Sequence, residues 1–479
     1  MLTVTSVPHY PYESDFTNSR RRPTMNTSST LMPTARRNDL ARCGVLRRTL
    51  RLGTVAAALL LPMASQALDF GPFSLTGFAK AEITRVSDYC PKERCQVDQF
   101  ASKEFPWADE LVQGKAYGAG TTTVTLLQPF LAAKFDLPRG FKLSGLLSQR
   151  WRDGKEDFKG FLYDASIAVG HEDYGSLRVG AMQTRAWSMA DYPFGTNIGL
   201  ADSWGSSGAG YGLLTRAIRY TSRPLDVAEG DLVLEATYDM GKGGWQKNKP
   251  RFWEVWAHYG RGDLGIDFMY QNSRNGTPSA FGHGPFTSLF YDRSFDSSLG
   301  SSGQSIAMVM ATYQVDSKIE VSAGMRGNRW SGAYAKFLQS RNVNPGGFDI
   351  WNNPFNVDWS KDLGGGVYMG YPATSLDVVL GARYKMGKWT ASTGMVHLGA
   401  AATANPSDRG QSNSATINTL GLNYDYGQGF QFYGLAGMVN YARKGLSPIS
   451  MPSNSAFTNV DSRLSTRGTW FGAGAVYVF

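Results

Sequence analysis

The segment Thr469-Trp-Phe471-Gly-Ala473-Gly-Ala475-Val-Tyr477-Val-Phe479 decides the fold. Its odd positions carry the larger or apolar set, and it stops on an aromatic residue. An apolar set that returns at every second residue belongs to a strand, because successive strand side chains point to opposite faces. The run is about ten residues long, enough for a tilted strand to cross a bilayer, whereas strands of soluble sandwiches average about six.

The same period recurs upstream. Leu143, Leu147 and Gln149 oppose Lys142, Ser144, Ser148, Arg150 and Arg152; Tyr163, Ala165, Ile167 and Val169 oppose Asp164 and Ser166. Leu264, Ile266, Phe268 and Tyr270 oppose Asp267 and Gln271, and Ile319, Val321, Ala323 and Met325 oppose Lys318, Glu320, Ser322 and Arg326. One face suits lipid and the other water, although a soluble barrel with an apolar interior would produce the same alternation.

The connections favour the membrane alternative. Seven short signals, Pro138–Gly140, Glu172–Gly175, Arg223–Gly230, Gly262–Asp263, Val315–Ser317, Met386–Gly387 and Gly427–Gly429, mostly bear Gly or Pro. Between them lie eight longer polar or Gly-rich stretches, near Asp88–Gly120, Asp153–Lys159, Trp187–Thr215, Gly241–Pro250, Arg274–Gly303, Ser331–Ser375, Gly399–Ser414 and Arg443–Arg467. Eight loops interleaved with seven turns connect sixteen strands, and turns at one end with loops at the other mark a transmembrane antiparallel β-barrel. Sixteen strands over residues 68–479 leave roughly 26 residues for each strand and its connection. The expectation is one all-β domain with a bore too wide for side chains to fill.

Composition agrees. The chain holds 55 Gly, 26 Phe, 23 Tyr and 12 Trp, with 18% charged residues. Aromatic residues at 13% argue against disorder, and no apolar run approaches the roughly 18 residues of a spanning helix. Alternation conceals apolar surface from a hydropathy window, so the mean hydropathy of −0.28 is compatible with a barrel. Tyr163, Tyr220, Tyr238, Tyr259, Tyr270, Tyr313, Tyr384, Trp389 and Tyr424 are expected in the two interfacial girdles.

Residues 1–67 read as a signal peptide, with an internal Met25 that would give a more ordinary start. Six arginines from Arg36 to Arg51 precede the apolar Thr54–Leu61 run, and Ser65-Gln-Ala67 supplies small residues for cleavage. This segment holds nine of the 48 basic and three of the 39 acidic residues, so removing it lowers the net charge from +9 to +3. The high isoelectric point therefore gives little support to nucleic-acid binding. Of the three cysteines, Cys90 and Cys95 remain; in an exported chain they can close a small disulfide loop, with a zinc half-site as the rival reading.

The mature chain resembles the Gram-negative general porins over essentially its whole length. Three features carry the likeness: the terminal Tyr477 and Phe479; the tract Gly208-Ala-Gly210-Tyr-Gly212 through Arg219-Tyr220 to Pro224; and Phe161–Ala165 followed by Tyr174–Gly180. Many such porins read Gly-Arg-Gln where this chain has Gly180-Ala-Met182, which changes the layout of the basic wall. The resemblance implies a homotrimer in the bacterial outer membrane, in contact with its lipids and lipopolysaccharide, and passing small hydrophilic solutes and ions. It also implies that Trp187–Thr215 is a third loop folded into the bore, bringing Asp191 and Asp202 opposite Lys80, Lys134, Arg150, Arg152 and Arg219. Acids facing cations across a narrow aqueous neck set up a transverse field that favours dipolar solutes.

A substrate-selective outer-membrane channel is the alternative reading, with an enzymatic barrel or a surface receptor as the competing classes behind it. The chain has no Gly-x-Ser-x-Gly elbow and no His-Glu-x-x-His, and His171, His258, His283 and His397 form no evident constellation. The expectation is no catalytic residue, no metal and no cofactor. Gly205-Ser-Ser-Gly208-Ala-Gly210 lacks the Lys and following helix of a phosphate cradle.

Overall fold

A computed structural model describes residues 68–87, 120–156, 162–185, 189, 213–239, 251–274, 302–332, 334–335, 357–364, 367–400, 402–406, 409, 414–442 and 467–479. The expected signal peptide, Cys90, Cys95, Asp191 and Asp202 lie outside the described residues.

Sixteen strands build the wall. They are β1 Phe73–Ser87, β2 Gly120–Asp136, β3 Lys142–Ser148, β4 Asp164–His171, β5 Gly175–Gln183 and β6 Leu213–Thr221. There follow β7 Gly230–Asp239, β8 Arg251–Arg261, β9 Leu264–Arg274, β10 Ser302–Gln314 and β11 Ile319–Gly332. The last are β12 Ala373–Met386, β13 Trp389–Leu398, β14 Ala415–Gly427, β15 Phe430–Tyr441 and β16 Arg467–Val478. Every strand pairs antiparallel with its sequence neighbours. The first also pairs with the last, from Phe78↔Val478 to Ser87↔Thr469. Closure leaves no free edge, the condition for a sheet to sit in hydrocarbon.

The seam depends on one glycine. Below the β1–β16 pairing, Gly77 and Phe479 exchange backbone hydrogen bonds of 2.8 and 2.9 Å. A Cβ on Gly77 would meet the Phe479 ring at 2.7 Å and the Gln128 carbonyl at 2.6 Å, so the terminal ring packs where a side chain cannot. Leu68–Phe70 doubles back onto Phe73–Leu75 and continues the wall beneath the chain end.

All seven short signals join strands at one end. One departs from a tight turn: within Arg223–Gly230, Leu225–Val227 pairs with Gly230–Leu232, reversing through Ala228 and Glu229 at φ 47° and 64°. At the other end, the β11–β12 connection carries a small three-stranded sheet of Tyr334–Ala335, Val357–Gly364 and Val367–Gly370, where sequence reading expected only loop.

The alternation sorts faces as expected. Ile83, Ile167, Val179, Ile218, Phe268, Met325, Leu420 and Phe471 point outward and are exposed, forming an apolar belt. Alternate residues point into the bore and are buried, among them Glu82, Ser166, Glu235, Gln271 and Arg326. Of the expected girdle residues, Tyr220, Tyr313, Tyr384 and Trp389 face outward toward the turn end. Tyr238, Trp253 and Tyr270 face outward toward the loop end, with Trp253 and Tyr270 centroids 5.0 Å apart. Tyr163 is a correction. It is 1% exposed and lies under Arg150, 5.7 Å from the guanidinium carbon to the ring centroid. It precedes β4, so the strand's alternation does not bind it.

The candidate functional site along the inner wall

The bore side of β5 to β8 holds the densest charge. The β5–β6 pairing carries a bulge on β6: Gly180 pairs with Ala217 and Met182 with Leu214, so Thr215 and Arg216 together stand opposite the single Ala181. Gly180 sits at φ 137°, and a Cβ there would strike the Ala165 carbonyl oxygen at 2.3 Å. Bulges re-aim the chain. Beyond this one Met182, Gln183, Thr184 and Arg185 are all buried, with Arg185 reaching across β6 to β7 and β8.

Arg185 forms a two-pronged pair with Glu235, Nε to Oε1 at 2.7 Å and a terminal nitrogen to Oε2 at 2.5 Å. Its backbone N–H donates to Glu254 Oε1 at 2.7 Å, and its guanidinium lies 4.5 Å from the Trp256 ring. Arg219 approaches the same Glu235 at 3.0 Å and donates to the Thr237 hydroxyl at 2.9 Å and the Gln183 carbonyl at 2.7 Å. Thr221 donates to Glu235 Oε2 at 2.8 Å. Two cations, two carboxylates and their hydrogen bonds thus share one buried patch, the condition under which buried charge is tolerated.

A second cluster straddles the seam. Tyr433 donates to Glu82 at 2.6 Å, and Lys80 lies 3.2 Å from the same carboxylate oxygen. Gly474, opposite both Glu82 and Tyr433, leaves room for the ring, since a Cβ there would lie 2.5 Å from it. Lys80 pairs in register with Leu126, which pairs with Arg152, so both cations share one inner-wall row.

The third lies between β11 and β12. Arg326 and Asp377 are directly opposite, joined at 2.9 and 2.7 Å, and neither is exposed. Asn328 donates to Asp377 at 2.7 Å and to Ser375 at 3.1 Å, while the Gly399 N–H caps the other carboxylate oxygen at 2.9 Å. Around this pair the inner wall is apolar: Met269, Met308, Met310, Val379, Val396, Leu398 and Ile417 are at most 1% exposed.

Of the expected constriction residues, Lys80, Arg150, Arg152 and Arg219 are buried on the bore side. Lys134 has inward parity but is exposed near the turn end, apart from the others. Of the expected infolded loop, Met189 and residues 213–215 are described, and Met189 is buried. Sequence reading missed Glu82, Arg185, Glu235, Glu254, Asp377 and Tyr433. Glu82 had a signal, being two residues from Lys80 and so on its face; the others are joined only by cross-strand register.

No protein-family model matches this chain, and no curated protein matches it either. Solved structures do. An anion-selective porin from Comamonas acidovorans superposes with a TM-score of 0.53 at 12% identity, over 85% of this chain and 99% of that one. The trimer form of in-vitro folded OmpT of Vibrio cholerae gives 0.52 at 13%, over 86% and 100%. Salmonella typhi OmpF in complex with daunomycin gives 0.51 at 13%, over 86% and 100%. The fold is that of the porins. At these identities the likeness extends to the porin architecture and not to individual site residues.

Proposed function

We propose that this chain is an outer-membrane porin that lets small hydrophilic solutes and ions diffuse passively through its bore. The observation that carries the reading is a closed barrel whose outer wall is apolar and whose inner wall between β1 and β8 bears ionic clusters. A bilayer-spanning cylinder needs the first, and a hydrated path for polar solutes needs the second. The Arg185 and Arg219 ion pairs lie at the end of β5, next to where the expected third loop begins, so charge is densest where a neck is expected.

Association into trimers is part of the proposal. β3 and β4 have 7 and 8 residues, against 14 in both β11 and β12. A tilted strand needs about 9–11 residues to cross the hydrocarbon, so this low wall is suited to contact with another subunit. An enzymatic role is not part of the reading.

Reconstitution into planar bilayers tests it. Stepwise open-channel conductance is expected, and a sealed bilayer combined with hydrolysis of lipid or peptide would replace the channel with an enzyme. Arg150→Glu with Arg152→Glu should move the reversal potential in a salt gradient toward cation preference; an unmoved potential would remove both residues from the solute path.

A further inference from the structure

One titratable residue on the bore face of β8 takes no part in the ionic patch. Glu254, Trp256 and His258 succeed one another on that face; the first two hold Arg185, and His258 stands below them, nearer the turn end of the strand. Its ring stacks beside Trp256, with centroids 5.9 Å apart and 13° between the planes. The His258 side chain is 41% exposed, against 1% for that of Glu254, so bore water reaches the imidazole and not the carboxylate above it.

Asp267 is directly opposite on β9, with Oδ1 2.9 Å from His258 Nδ1. An ionised carboxylate only accepts, so Nδ1 carries the proton of the neutral ring and a second proton arrives at Nε2. Glycines flank that edge. A Cβ on Gly260 would lie 3.7 Å from Nε2 and one on Gly265 3.8 Å from Cε1, so neither position stands a side chain over it. From β7, Val233 is opposite the ring, with the exposed Asp231 one inward position toward the turn and Glu235 one toward the neck. Glu235 is offset by Arg185 and Arg219, and on the outer side Arg261 is offset by Glu229. Asp263 is exposed in the turn below, and Met310 and Thr312 on β10 are uncharged.

We infer that His258 is a specificity-determining residue of the channel, whose protonation sets how strongly the turn-side mouth favours cations. The inference rests on the channel reading above and adds the ion class preferred at this mouth, with the proton as its regulator. While the ring is neutral, Asp231, Asp263 and Asp267 make the approach favourable to cations. A proton on Nε2 cancels one of those charges and weakens the preference. Imidazole changes charge between about pH 5 and 8, where ordinary carboxylates stay ionised, so the change belongs to the ring. Of the other described histidines, His171 lies at a turn and His397 faces outward.

The test is the reversal potential of the full chain in planar bilayers under a gradient of dilute KCl, where screening is weak, at about pH 8 and about pH 5.5. The ratio of potassium to chloride permeability should fall about twofold on acidification, the effect of one charge acting through water across about 10 Å. H258Q should hold the higher ratio at both pH values, H258K should hold the lower ratio at both, and H171Q should keep the fall. Heat-modifiable mobility on detergent gels reports whether each variant is folded, and either His258 variant alone decides. A ratio indifferent to pH in the unaltered chain, or a fall that persists in H258Q or H258K, would overturn the inference while leaving the channel standing. A bilayer that stays sealed would overturn the channel reading and this inference with it.

Discussion

The two halves of the inner wall handle burial in opposite ways. Along β5 to β8, Arg185, Arg219, Glu235 and Glu254 cluster so that each charge has an opposite charge or a hydrogen bond at hand. From β9 to β14, many inward side chains are methionines and branched aliphatics shut off from water, around the Arg326–Asp377 pair, with the Arg383–Glu320 pair nearer the turn end. Gly324 illustrates this packing: a Cβ there would lie 2.0 Å from the Met310 sulfur, so the thioether lies flat over the strand. Inward-facing is therefore not equivalent to water-lining, and solute selectivity should follow the first half alone.

The largest effect is expected where a charge would be stranded on the dry side. Asp377→Ala leaves Arg326 buried without its partner and should cost about 3–5 kcal/mol. The double replacement Arg326→Met with Asp377→Leu should recover most of that loss, because matched apolar groups remove both desolvation costs. Urea unfolding from lipid vesicles measures both; a double variant no better than the single would mean that the pair is not the source of the cost.

Ile417→Ala comes next, at about 2–4 kcal/mol from lost burial and the cavity left behind. Its reversal potential in a salt gradient should match the unaltered chain. A shifted potential would show that solutes reach the apolar side and would erase the contrast between the halves.

Glu235→Gln should cost less, about 1–3 kcal/mol, because the amide keeps one acceptor for the two guanidinium groups. Here the electrical readout should move, toward anion preference, since two cations on the proposed path lose their shared counter-charge. If selectivity is unchanged, the ionic half does not line the path.

The smallest effect is outside the membrane-spanning strands and serves as a baseline. Asp316 accepts the N–H groups of Lys318 and Ile319 at 2.7 and 2.8 Å, and these bonds, the Lys318 one foremost, hold its carboxyl below the ordinary value. A depressed carboxyl contributes stability that is present above the unfolded value, near 3.9, and disappears as pH falls through the lower folded one. Asp316→Asn should flatten that acid-side loss slightly while leaving both halves of the bore untouched.

Much of this architecture was legible in the chain. All seven turns fell where Gly, Pro and polar clusters interrupt the alternation, and Lys80, Arg152 and Arg219 occupy buried strand positions on the face that parity assigns to the bore. The girdle misfit, Tyr163, stands outside its strand, where parity has no force. Site partnerships were mostly hidden. Arg185 lies 50 residues from Glu235, Arg326 is 51 from Asp377, and Tyr433 is 351 from Glu82. A one-residue slip in any intervening pairing would exchange these faces.

Alternation, read together with the short turns at one end and long loops at the other, determined that this protein is a barrel wall with a greasy outside, because a strand has only two sides and the connections tell which one meets lipid. Tertiary structure decided which inward side chains meet. Register and seam closure set that, and they arise from hydrogen bonding between strands far apart in sequence, which no local pattern encodes.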